Sequence, residues 1–193
     1  MKHLFFYGVL LTVWLFSCQK NRNANRTMDA DSLRNVYTAL RDSLDTSWEA
    51  MSQTDEAKHG NLKRLLQEVA YAKVYNRPLL DSLQRMHAAL PGKRYTPQTM
   101  VSDRIDAYDL ATDSLVSALP QLLASVPDIE SYPLCAELSQ EIQAANEGVL
   151  VERIHYDKHA RAYNEFVKQY AEELKEAGYT DLEPKLLFQL ASQ

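Results

Sequence analysis

Residues 133–174 read PLCAELSQEIQAANEGVLVERIHYDKHARAYNEFVKQYAEEL. Apolar and aromatic side chains recur there at Leu134, Leu138, Ile142, Ala145, Val149, Tyr156, Ala160, Tyr163, Val167, Tyr170 and Leu174. Steps of three, four and seven keep them on one face of an α-helix. At 1.5 Å per residue the stripe runs roughly 60 Å, more than a compact globule needs. Two further stripes precede it. The first runs Leu33, Val36, Tyr37, Leu40, Leu44, Trp48, Met51 and resumes at Leu62, Leu65, Leu66, Val69, Val74 and Tyr75. The polar stretch 52–60 between them reads either as a break or as a solvated part of one helix. The second runs Met100, Val101, Ile105, Tyr108, Leu115, Leu119 and Leu122.

Punctuation between the stripes predicts where helices begin and end. Asp29 or Asp31 is positioned to cap the first helix. Asn76 can cap a helix that has Pro78 in its first turn and carries Leu79, Leu80, Leu83, Met86 and Leu90. Pro91-Gly92-Lys93 is a turn signal. Thr96-Pro97 predicts an N-cap and the first turn of the next helix. Pro120 predicts a kink or an early end. Gly178 is a stop, after which Asp181 would cap a short last helix over 182–190. No alternating Val/Ile/Thr run bounded by turns suggests a strand. The expected fold is all-α: an elongated antiparallel bundle of three to four long helices plus a short C-terminal helix, over residues 29–193. Short connections favour antiparallel neighbours.

Composition agrees with this reading. Of 193 residues, 46% are hydrophobic and 24% charged, the balance of a folded chain, and only 5 are Gly. The net charge is −5. With no basic stripe, nucleic acid is not an expected partner, because phosphate binding needs clustered Lys and Arg. The small group Lys20, Arg22 and Arg26 suits a tether near lipid headgroups.

The first 18 residues, MKHLFFYGVLLTVWLFSC, carry an export signal. Lys2 supplies the positive start, and residues 4–16 are an apolar run of roughly 20 Å as a helix. That is too short for a hydrocarbon core of about 30 Å and fits the core of a signal peptide. A buried helix with a chance cysteine, or a single-pass anchor, are the competing readings. Leu15-Phe16-Ser17-Cys18 resembles the lipobox of bacterial lipoproteins. That resemblance implies cleavage of residues 1–17, lipid on Cys18, and membrane attachment, with residues 18–28 as a flexible tether. The expected location is an exported, membrane-anchored protein facing the periplasm. The chain's other cysteine, Cys135, then has no partner for a disulfide and reads as a buried structural thiol.

The segment 153–164, RIHYDKHARAYN, brings a second resemblance. Together with Tyr37, Leu40, Leu44-Asp45, Trp48, Asn61-Leu62 and the closing Leu187-Phe188, it is similar to the LemA family of bacterial membrane-associated helical proteins. The residues carrying the likeness are Trp48, Asn61, Arg153, Tyr156, Tyr163 and Asn164. The chain departs from the family pattern at Asp157, His159-Ala160 and Gln189. The resemblance implies a long helical bundle tethered to a membrane and gives no chemical activity.

Candidate chemistry is sparse. Glu152, His155 and His159 lie on neighbouring positions of one helix, and Glu-x-x-His echoes half of a di-metal bundle site. No second Glu-x-x-His exists, and the stripe turns both histidines to the flank, so a solvent- or partner-facing role is the better reading. Tyr156, Tyr163 and Tyr170 recur every seven residues as a seam with hydroxyls reaching its edge. Asn164 fits either a buried register-setting position or the surface. There is no G-x-S-x-G turn, phosphate-cradling glycine loop or H-E-x-x-H. The expected function is a lipid-anchored, non-enzymatic interaction or scaffold module with envelope protein partners and no cofactor. The alternative is a ligand- or metal-binding bundle using Glu152, His155 and His159.

Overall fold

The computed structural model describes residues 28–188, so the segment 1–17 expected as a leader, Cys18, the expected tether up to residue 27 and residues 189–193 lie outside it. Five helices follow in order: α1 Ala30–Ala70, α2 Arg77–Ala89, α3 Ser102–Ala124, α4 Pro133–Gln169 and α5 Ala171–Glu176. Short 3-10 turns fill Leu90–Lys93 and Ile129–Ser131. Among the described residues there is no strand, and no helix is long and apolar enough to cross a membrane. The fold is an all-α bundle.

α1 and α4 are its spine, packed antiparallel along most of their length. Leu33 and Tyr37 near the start of α1 pack with Tyr163 and Val167 near the end of α4, while Leu62 and Leu65 meet Leu138 and Ile142. Gly148 lets the two approach closely, since a Cβ there would stand 3.2 Å from Thr54 Cγ2. α2 and α3 complete a four-helix section over one end. Leu80, Leu83, Leu115, Leu119 and Leu122 share one core with the α1 and α4 leucines.

Several predicted boundaries hold. Asp29 accepts from Ser32 N–H at 2.9 Å, and Asn76 from Leu79 N–H at 3.1 Å, each relieving an orphan donor of a first turn. Gly178 takes φ 89°, where a side chain would be strained. The polar stretch 52–60 is no break, because α1 runs through it. Pro120 does not end α3, which runs on through it to Ala124; sitting in the final turns, it costs one ladder bond.

Three expectations are corrected. Thr96-Pro97 does not open a helix. Thr99 Oγ1 accepts from Thr96 N–H at 2.9 Å, closing a turn that competes with helix, and α3 starts only after Val101. The 133–174 stripe is not one helix: it breaks at Tyr170 (φ −118°, ψ 28°) and resumes as α5. The short last helix over 182–190 is not formed in its described part, 182–188. Pro184 biases Glu183 towards extended backbone, and side chains of α4 capture the amides a helix would need. Asn164 Oδ1 accepts from Lys185 N–H at 2.7 Å and its Nδ2 donates to Lys185 O at 2.9 Å. Asp157 Oδ1 accepts from Phe188 N–H at 2.8 Å. Residues 179–188 thus form a strap lying back along the spine, which α2 and α3 leave uncovered at that end.

Candidate functional site

The interruptions in the three apolar stripes fall at one level of the bundle. On α1 the face continues from Met51 through Asp55 and Lys58 to Leu62, in helical steps of four, three and four. On α3, Thr112 lies between Tyr108 and Leu115, and on α4, Arg153 lies between Val149 and Tyr156. Lys58, His59, Thr112 and Arg153 are all buried. The core therefore contains a polar layer.

Buried charge is tolerated only when matched, and here each charge has a partner. Arg153, its side chain 4% exposed, forks onto Asp109 of α3 with Nη1 and Nη2 each at 2.7 Å, and Nη2 also donates to Tyr95 Oη at 2.8 Å. Burial works against that guanidinium's charge, but Asp109 and Tyr95 outweigh it and raise its pKa. Lys58 Nζ lies 3.1 Å from Asp55 Oδ1 and 3.4 Å from Asn146 Oδ1. Arg94, in the connection before α3, binds Glu56, which raises its pKa, and stands 3.9 Å from Asp55.

His59 belongs to the same layer. Tyr108 donates to Asp55, so His59 Nε2, 2.5 Å from Tyr108 Oη, carries the proton and donates to it. Burial holds the imidazole neutral, with its pKa pushed down to about 4 even though Asp55 pulls the other way. Burial and the Asp55 carboxylate together raise the Tyr108 hydroxyl, and burial pushes Tyr95 up to about 12. His87 Nε2 donates to His59 O at 3.1 Å.

An aromatic cluster closes the layer on the side of the strap. Trp48 stacks on Phe188 at 6.2 Å and meets Tyr156 and Tyr95 edge-on at 5.5 and 6.4 Å. Arg153 lies over the Phe188 ring at 4.9 Å. Between cluster and layer is a cavity of about 180 Å³, bounded by Trp48, Met51, Asp55, Arg94, Tyr95 and Arg153 among others.

Of the residues singled out in the sequence, Trp48, Arg153 and Tyr156 converge on this region, and Tyr163 and Asn164 hold the strap. Tyr37 and Tyr163 both donate to Asp181 O, at 3.0 and 3.1 Å. Asn61 lies apart, donating to Glu141 at 2.8 Å across the spine. The expectation that every seam hydroxyl reaches an edge is corrected at Tyr156, whose buried hydroxyl has no partner among the described residues. Glu152 and His155 face each other at 3.5 Å on an open face near His159. Among the described residues no group of three or more His, Cys, Asp or Glu is arranged to hold a metal ion. Cys135 is buried, and burial pushes its thiol up to about 11.

Sequence reasoning missed Asp55, His59, Tyr95, Tyr108 and Asp109. Asp55 and His59 were findable as an i, i+4 acid–histidine pair on a buried face. Tyr95 and Asp109 give no local signal, because Tyr95 sits in an irregular connection and Asp109 is one of several aspartates on α3. The chain matches no protein-family model, no curated protein and no solved structure.

Proposed function

We propose that this protein is a lipid-anchored, non-enzymatic interaction module of the bacterial cell envelope, of LemA type, held to a membrane through Cys18. The observation that carries the reading is an exposed stripe on α4. Leu150, Val151 and Ile154 are about half exposed on adjacent turns, and the same face continues into exposed Lys158 and Arg161. Apolar side chains followed by cations fit a protein partner that presents an apolar helix face ending in carboxylates.

The leader and lipobox support the anchor. The long packed pair of α1 and α4 supports presentation of one fixed face. The pairing of Arg153 and Lys58 inside the bundle supports a structural use of its charges rather than a catalytic one. Kinship with LemA proteins is supported by the way Trp48, Arg153, Tyr156, Tyr163, Asn164 and Phe188, scattered in sequence, lock the strap to the spine.

The test is photocrosslinking from position 151 in cells, with the wild-type surface, with Ile154→Asp and with Cys18→Ala. A discrete protein adduct that is lost in Ile154→Asp, weakened in Cys18→Ala and reduced by salt supports the reading. An adduct indifferent to Ile154→Asp, or none at all, overturns it.

A further inference from the structure

The cavity between the polar layer and the aromatic cluster has a size, a charge and a lining that together specify a ligand. Its volume is about 180 Å³. An engineered apolar cavity of about 150 Å³ takes up benzene, so this one accommodates a single ring. Its walls suit a ring: Trp48, Tyr95 and Tyr108 offer aromatic edges and faces, and Met51, Pro97 and Val149 offer apolar contact. Glu56 and Arg94, 63% and 34% exposed, mark the mouth.

The surrounding charges cancel. Asp55 is matched by Lys58, Glu56 by Arg94 and Asp109 by Arg153. A ligand with net charge would lose its hydration without a counter-charge to receive it. Arg153 uses both terminal nitrogens on Asp109 and Tyr95, which leaves neither free for a ligand.

We propose that this cavity binds a neutral, single-ring aromatic molecule, its ring among Trp48, Tyr95 and Tyr108. The site is separate from the exposed α4 stripe and does not depend on the lipid anchor. Ser52, half-buried on α1, lines the cavity without joining any of the ion pairs. Ser52→Leu therefore obstructs the site while keeping a good helix former in α1.

The experiment titrates the intact chain, purified in detergent, with benzamide, benzoate and benzylamine, following tryptophan fluorescence and the melting temperature. Expected is saturable quenching by benzamide with a rise in melting temperature. Benzoate and benzylamine should bind at least about tenfold more weakly, and Ser52→Leu should weaken benzamide by a similar factor. No saturable benzamide response, equal binding of either charged analogue, or full affinity in a folded Ser52→Leu chain would overturn the proposal. The analogue comparison uses the wild-type chain alone, so it decides the matter even where the variant does not fold.

Discussion

Single residues in this bundle differ sharply in how well their polar atoms are matched, and that sets what substitution does. Tyr156 is 1% exposed, its hydroxyl is buried without a partner among the described residues, and burial pushes it up to about 12. Removing an unmatched hydroxyl removes a desolvation cost while the ring keeps its contacts with Trp48 and Phe188. Tyr156→Phe should therefore raise unfolding stability by about 1 kcal/mol in urea titrations. His59 makes the opposite case. It is neutral when folded, with a pKa near 4, and the same side chain takes a proton near 6.5 once unfolded. The unfolded chain thus binds the proton first, so stability is intact above pH 6.5 and falls as pH drops towards 4. The loss should be on the order of 3 kcal/mol across that window. Urea titrations at pH 7, 5.5 and 4.5 check it, and His59→Gln should flatten the slope.

At the scale of elements, the stripes around Leu33, Leu62, Leu115 and Leu138 made the long helices legible, because a core-facing helix must repeat its apolar residues every three to four positions. The same logic hid the polar layer. Asp55, Lys58, Thr112 and Arg153 occupy core positions of their stripes, so a reading keyed to apolar residues registers them as gaps. The region 52–60 consequently looked open to a break although it lies in the middle of α1. The strap was illegible for a different reason. Leu182, Leu186 and Leu187 have helical spacing, and what overrides it is tertiary: the amide of Asn164 and the carboxylate of Asp157 bind backbone groups that helix formation would need. Asn164→Ala deletes two of these bonds and should cost about 1–3 kcal/mol. Hydrogen exchange should report that loss first at Lys185 and its neighbours, while the amides of α1 beside Leu62 stay protected. Protection unchanged at Lys185 would show that Asn164 does not hold the strap.

At the scale of the molecule, the polar layer ties α1, α3 and α4 together through Lys58–Asn146, His59–Tyr108 and Arg153–Asp109. Unlike apolar contacts, a two-bond fork such as Arg153–Asp109 tolerates no sliding, which suits the proposed presentation of the Leu150–Ile154 face in one orientation. Cys135 is part of this packed interior, so in a Cys18→Ala chain thiol reagents should react with it only after unfolding. The proposed role rests on the anchor at the other end of the chain. The most direct measurement is the intact mass of the protein recovered from membrane and soluble fractions of a bacterial host, for the wild type and for Cys18→Ala. Expected is a wild-type chain in the membrane fraction, beginning at Cys18 with the added mass of acyl chains, and no such species for Cys18→Ala. A wild-type chain that retains residues 1–17 and carries an unmodified Cys18 would contradict a lipid-anchored module and leave the bundle without its proposed tether.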